Sequence, residues 1–251
     1  MRVGVFDSGV GGLSVLKSLY EADFFEELIY YGDTARVPYG VKDRQTIVKF
    51  CLEALDFFEN FRPDMLIIAC NTASAYALPA LRERANFPVY GVIEAGVLAT
   101  VKALPDKDGE ILVIATRATV ESGEYQAHLQ RQGFSRIRAL PTGLFVPMVE
   151  EGIWGGDLLQ SALRHYFDGL ESPDALILAC THFPFLSRPL QEFFGTKTKL
   201  IHSGEAIMDF LRTSARLSPS GRRARLKFYA SSAVEDLRQR AKIWLNLKDT
   251  P

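Results

Sequence analysis

Two stretches of this chain follow one plan, and the repetition limits the folds open to it. Pro63–Glu83 reads PDMLIIACNTASAYALPALRE, and Pro173–Glu192 reads PDALILACTHFPFLSRPLQE. Each is an apolar run, then a cysteine, then a polar turn, then a helical pattern. Cys70 and Cys180 hold matched positions, 110 residues apart (180 − 70). That period is far longer than a solenoid repeat, so duplication of a whole domain is the better reading.

The remaining segments keep the same alternation. Arg2–Phe6 is a strand entering Asp7-Ser8-Gly9-Val10-Gly11-Gly12, and Leu13–Tyr20 carries a helical apolar pattern. Leu28–Tyr31 is a strand, Thr34–Gly40 (TARVPYG) a loop, and Asp43–Phe61 an amphipathic helix holding Cys51. Val89–Val92 reads as a strand before a helix from about Glu94 to Leu104. After the polar turn Pro105–Glu110, a candidate boundary, the order begins again. Ile111–Ala115 is a strand, followed by Thr116-Arg117-Ala118-Thr119 and a helix through Gln132. Ile137–Leu140 is a strand, Pro141–Glu151 a loop and Gly156–Leu170 a helix. Val146-Pro147 in that loop echoes Val37-Pro38. Lys199–Ile201 and Leu226–Tyr229 are further strands, and Ala206–Leu217 and Ala233–Trp244 further helices.

Strands alternating with helices predict a parallel sheet. The expected fold is α/β, with two pseudo-symmetric doubly wound parallel-sheet domains facing each other across a cleft. Residues 1–95 plus 206–251 form the N-terminal domain with a returning C-terminal segment, and 96–205 form the second. Ligands of open parallel sheets bind at the carboxyl ends of the strands. Asp7, Cys70, Thr116 and Cys180 all fall at such ends.

Composition removes several classes. The formal net charge of −1 gives no broad basic surface for nucleic acid, and the run Arg222, Arg223, Arg225, Lys227 reads as a solvated face. No apolar run spans a bilayer, and the opening MRVGVFDSG lacks a signal-peptide core, so the expected location is the cytoplasm. Three cysteines make a poor disulfide framework, and Cys180 with His182 are too few ligands for a metal. No metal is expected.

Cys51, inside an amphipathic helix, reads as a small buried hydrophobe. Cys70 and Cys180 end strands before helix N-termini, where the dipole and free N–H groups favour a thiolate. Two thiols facing across a cleft suit two-base proton transfer at carbon, one removing a proton while the other delivers one to the opposite face. Asp7 is placed to accept the Cys70 proton or to orient that thiol. His182, as an imidazolium, favours a Cys180 thiolate, with Glu150 or Glu151 as its partner. Ser8–Gly12, Tyr39-Gly40, Asn71-Thr72, Thr116, Thr119 and Thr181 supply neutral donors for a small carboxylate. Two other readings of these residues stand beside this one: a Cys–His hydrolase built on Cys180, and a protein that binds an amino acid without chemistry. Trp244 fits a hinge, a dimer contact or plain core packing.

The segments FDSGVGGLSVL, YYGDTARVPYG, ACNTASA, ATRATVESGEY and ACTHFPFL resemble, in order, the motifs of the glutamate racemases of the aspartate/glutamate racemase superfamily. The resemblance covers most of the chain and thins beyond residue 215. It implies a cofactor-independent isomerase interconverting L- and D-glutamate and supplying D-glutamate for peptidoglycan. It implies that Cys70 takes the α-proton from D-glutamate and Cys180 from L-glutamate. Asp7 would assist Cys70, and His182 with Glu150 would assist Cys180. Asp7, Ser8, Tyr39, Gly40, Asn71, Thr72, Thr181 and His182 would contact substrate, with Thr116 and Thr119 in addition. A homodimer is implied, as is an acidic residue where His202 stands. Aspartate racemase is the sister activity.

Overall fold

The computed structural model describes residues 1–215 and 217–247. Arg216 and residues 248–251, parts of the expected helix Ala206–Leu217 and returning segment, lie outside the described residues. The first part of the chain runs β1 (Arg2–Asp7), α1 (Leu13–Glu21), β2 (Glu27–Gly32), α2 (Arg44–Glu59), β3 (Met65–Ile68), α3 (Asn71–Arg84), β4 (Val89–Gly91), α4 (Val92–Ala103). The order then recurs as β5 (Ile111–Ala115), α5 (Arg117–Ser122), α6 (Glu124–Arg131), β6 (Ile137–Pro141), α7 (Phe145–Glu150), α8 (Gly156–Phe167), β7 (Ala175–Ala179), α9 (Ser187–Phe194), β8 (Lys199–His202). It closes with α10 (Ile207–Ser214), β9 (Arg225–Ala230) and α11 (Val234–Trp244).

All pairings are parallel, in two sheets of order β4-β3-β1-β2-β9 and β6-β5-β7-β8. Without β9 the two orders are the same, with β5 in the place of β1 and β7 in the place of β3. Winding reverses between β1 and β3 in one sheet and between β5 and β7 in the other. Every residue of β3 and β7 is buried, as continuous apolar strands covered on both faces must be.

Helices supply that cover. In the first sheet, Leu16 of α1 and Leu211 of α10 pack on Val5 and Ile67, while Leu55 and Phe58 of α2 share a core with Phe6 and Ile68. In the second, Leu163 of α8 and Leu190 of α9 lie with Ile114 and Leu178, and Leu129 of α6 with Val113 and Ile177. Helix α4 serves both sheets: Val92 and Ala95 enter the first core, Ile93 and Val97 the second.

The late strand β9 pairs with β2 along its length. Buried Glu27 at the start of β2 lies within 2.5 Å of Arg2, 3.0 Å of Lys227 and 3.5 Å of Arg225. Burial works against its charge, yet the bonds to Lys227 and Arg2 hold its carboxyl below the usual range. Arg225 and Lys227 lie on the solvated face expected of them, and from there their contacts with Glu27 also fasten the returning strand.

Three local expectations change. The helix through Gln132 is split at Gly123, whose φ of 71° suits glycine and ends α5. The Pro141–Glu151 loop contains helix α7, because Pro147 stands in the first turn, where a missing N–H is tolerated. Its Val146-Pro147 is helical, whereas Val37-Pro38 is a cis peptide, so the echo between them is one of sequence alone. The helix expected to reach Leu217 ends at Ser214.

Candidate active site

The two points of reversed winding face each other. Asp7 ends β1 and Cys70 follows β3; Thr116 follows β5 and Cys180 follows β7. Between them lies a cleft of about 680 Å³.

On the first side, Cys70 caps α3, its sulfur accepting the Ala73 N–H at 3.5 Å and sharing a 3.5 Å hydrogen bond with the Ser8 hydroxyl. The helix terminus does not dominate this thiol. Burial and then the neighbouring Asp7 push it up to about 12, against the two hydrogen bonds. The expected ease of ionisation is thereby reversed for Cys70, because it is almost sealed and stands beside a carboxylate. Asp7 itself is fully buried. Its Oδ2 accepts the Gly9 N–H at 2.9 Å, and among the described residues Oδ1 has no partner. Burial raises its pKa, with the His182 charge pulling the other way.

On the second side, no α-helix starts directly after Cys180. A 3₁₀ turn, Phe183–Leu186, intervenes before α9, and the side chain that meets the sulfur is His182, with Nδ1 at 3.7 Å. His182 Nε2 lies 3.0 Å from Glu150 Oε1. Burial disfavours the imidazolium, but the bonds to Cys180 and Glu150 outweigh it and push the pKa up to about 10. The His182 bond holds Glu150 below the usual carboxylate range. Glu150 is thus the neighbour of His182, and Glu151 caps the end of α7 in the open.

Ser8, Tyr39, Gly40, Cys70, Asn71, Thr72, Thr116, Glu150, Cys180, Thr181 and His182 all line the cleft. Asp7 and Thr119 stand behind its wall. Tyr39 reaches the cleft from a short 3₁₀ turn, but its hydroxyl donates away from it, to Asp33 Oδ2 at 2.5 Å. Gly40 is needed where it is, since a Cβ there would lie 2.5 Å from Thr116 Cβ. His202 ends β8 beside Ser187, away from the cleft wall. Trp244 packs on Phe185 with ring centroids 4.2 Å apart and planes tilted by 47°, which makes it a contact between α11 and the 3₁₀ turn after Cys180.

Comparison with known proteins follows the same outline. Residues 15–211 match the family model for Asp/Glu/Hydantoin racemase. A glutamate racemase of Campylobacter jejuni is 70% identical over 247 residues, covering 98% of this chain and 99% of its own. This chain belongs to the Asp/Glu/Hydantoin racemase family. Within the family it groups with the glutamate racemases, and a racemase is an isomerase. The crystal structure of a Campylobacter jejuni glutamate racemase superposes with a TM-score of 0.98 at 69% identity over 100% of both chains. That of the Francisella tularensis enzyme in complex with D-glutamate gives 0.84 at 32% identity, covering 99% of this chain and 95% of that one.

The racemase cleft also has walls that motif reading missed. Leu144 follows β6, and His165 and Tyr166 come from α8, where nothing in the local sequence marks them. Tyr166 is tied to the wall by accepting the Leu144 N–H at 3.0 Å. Arg117 had a signal, its place beside Thr116, and it is the one permanent cation among the described lining residues. Within the described residues no cluster of three or more His, Cys, Asp or Glu is arranged for a metal, and no helix is long and apolar enough to cross a membrane.

Proposed function

We propose that this racemase interconverts L- and D-glutamate without a cofactor, through Cys70 and Cys180 acting from opposite faces of the α-carbon. The observation that carries the reading is the placement of the two sulfurs. They follow the equivalent strands β3 and β7, line one cleft, and have different neighbours.

Those neighbours assign a direction to each. His182, held as an imidazolium by Glu150, supports a Cys180 thiolate, which takes the α-proton of L-glutamate. The Cα–H bond breaks as S–H forms, and the pair left on carbon is shared into the α-carboxylate. Cys70, holding its proton, gives it to the other face, and D-glutamate results. In reverse, Cys70 passes its proton towards Asp7 and takes the α-proton of D-glutamate, while Cys180 takes a proton from the His182 imidazolium and delivers it to the other face. Backbone N–H groups and hydroxyls of Ser8, Gly40, Asn71, Thr72, Thr116 and Thr181 hold the two carboxylates and stabilise charge as it develops. The Francisella relative's complex with D-glutamate supports the choice of substrate.

The rest of the proposal follows from the family. D-Glutamate would supply peptidoglycan in the cytoplasm, and the working form would be a homodimer. The division into 1–95 with 206–251 and 96–205 is supported by the membership of the two sheets. The test is incubation of either enantiomer in heavy water. Deuterium should enter Cα from both, aspartate should exchange far more slowly, and Cys70→Ala and Cys180→Ala should each abolish racemisation. No deuterium at Cα of glutamate would end the proposal.

A further inference from the structure

Asn71 and Thr72 follow Cys70 directly, and both are tied into the other half of the molecule. Asn71 is buried. Its Oδ1 accepts the Tyr125 hydroxyl at 2.7 Å, and its Nδ2 donates to Ser203 Oγ at 3.4 Å. A carbonyl oxygen only accepts and an amide nitrogen only donates, so Tyr125 gives its proton to Asn71 and Ser203 receives one from it. Asn71 is thus held through both ends of its amide by two side chains of the other half, and the two bonds fix which way round that amide stands.

The three side chains are closely packed as well as bonded. Tyr125 belongs to α6 and Ser203 follows β8, both on the second sheet, while Asn71 opens α3 on the first. Behind them Gly96 of α4 leaves the space, since a Cβ there would lie 3.1 Å from Ser203 Cβ and 3.2 Å from the Tyr125 oxygen. Thr72 has a ring of its own, with Thr116 and Thr119 hydroxyls at mutual distances of 2.9, 3.0 and 3.0 Å.

We propose that Tyr125 and Ser203 are positioning residues for the reaction: their bonds to Asn71 hold the first turn of α3, and so Cys70, at a fixed distance from the half that carries Cys180. The proposal rests on the two-thiol reading given above. Removing the Tyr125 hydroxyl leaves Asn71 Oδ1 buried without a donor and frees the amide to turn over. Proton transfer across a gap tolerates little displacement of either sulfur.

The experiment measures kcat and KM in both directions, with thermal midpoints, for Tyr125→Phe, Ser203→Ala, Asn71→Ala, Cys70→Ala and the double variant Tyr125→Phe/Asn71→Ala. Tyr125→Phe should lower kcat about 30-fold both ways, with KM for each enantiomer changing less than about threefold. In the Asn71→Ala background it should lower kcat no further. Ser203→Ala, a smaller change that keeps the aromatic packing, should show the same pattern. A kcat within twofold of the parent in both Tyr125→Phe and Ser203→Ala would overturn the proposal. So would a loss from Tyr125→Phe that is undiminished in the Asn71→Ala background, since Tyr125 would then act on its own. Turnover retained in Cys70→Ala would instead mark failure of the two-thiol reading.

Discussion

Gly11 of the first half lies against His182 of the second with no room to spare: a Cβ at Gly11 would stand 2.6 Å from the imidazole Cε1 and 2.7 Å from Nδ1. Ser14, three residues on, donates from its hydroxyl to the Thr181 carbonyl at 3.0 Å. The glycine-rich turn after β1 therefore serves the other side of the cleft as well as its own. Gly11→Ala should displace the imidazole from Cys180 and lower kcat by about 100-fold. Steady-state assays in both directions check this, and an unchanged kcat would show that the ring has slack.

Asp7 adds to the burial that keeps Cys70 protonated. Asp7→Asn removes that charge, so the thiol should ionise more readily while racemisation falls. Alkylation of Cys70 by iodoacetamide, followed at the modified peptide by mass spectrometry, should be slow at pH 8 in the parent and faster in the variant. A slower rate in Asp7→Asn would contradict the arrangement.

The His182–Glu150 pair sets a pH window for stability. His182 has a folded pKa of about 10, above its usual value near 6.5, so its contribution is full below that usual value and disappears as pH rises through about 10. Glu150 is shifted down, so its share is present above the ordinary carboxylate pKa and lost as pH falls through its lowered value. Its side chain is 34% exposed, and solvent screens the pair. Glu150→Gln should therefore cost only about 1 kcal/mol at neutral pH, roughly 2–4 °C in Tm for a chain of this size. Melting curves from pH 6 to 11 should show the variant losing less on the alkaline side than the parent.

Cys51 is a control. It lies in the core with Leu55, Phe58 and Tyr39, and does not line the cleft. Cys51→Ala should leave kcat and KM within twofold and lower stability by about 1 kcal/mol through lost packing. A large loss of activity would call for a third thiol in the chemistry.

Strand–Cys–helix repetition made the duplicated α/β plan readable, because a buried parallel strand needs an unbroken apolar run and its ligands gather at one end. That logic placed Cys70, Cys180, Asp7 and Thr116 at one cleft. It read both cysteines as ending strands before helix N-termini that favour a thiolate, and for Cys70 it fell short. Cys70 caps a long helix yet is hard to ionise, while Cys180 meets a histidine and a 3₁₀ turn. For Cys70, burial and the charge of Asp7 decide the matter, and neither is local in sequence. The aim of Tyr39 towards Asp33, the hold of Tyr125 on Asn71 and the wall residues on α8 were hidden for the same reason. Each depends on which distant segments the tertiary fold brings together.

The chain passes between the two sheets twice, once through α4 and again after β8 on its way to β9, whose edge pairing completes the first sheet. Two adjacent tethers leave much less freedom than one. A twist that carried the end of β3 past the end of β7 would have to strain both connections at once, so the doubled crossing works against losing the opposition of the two strand ends.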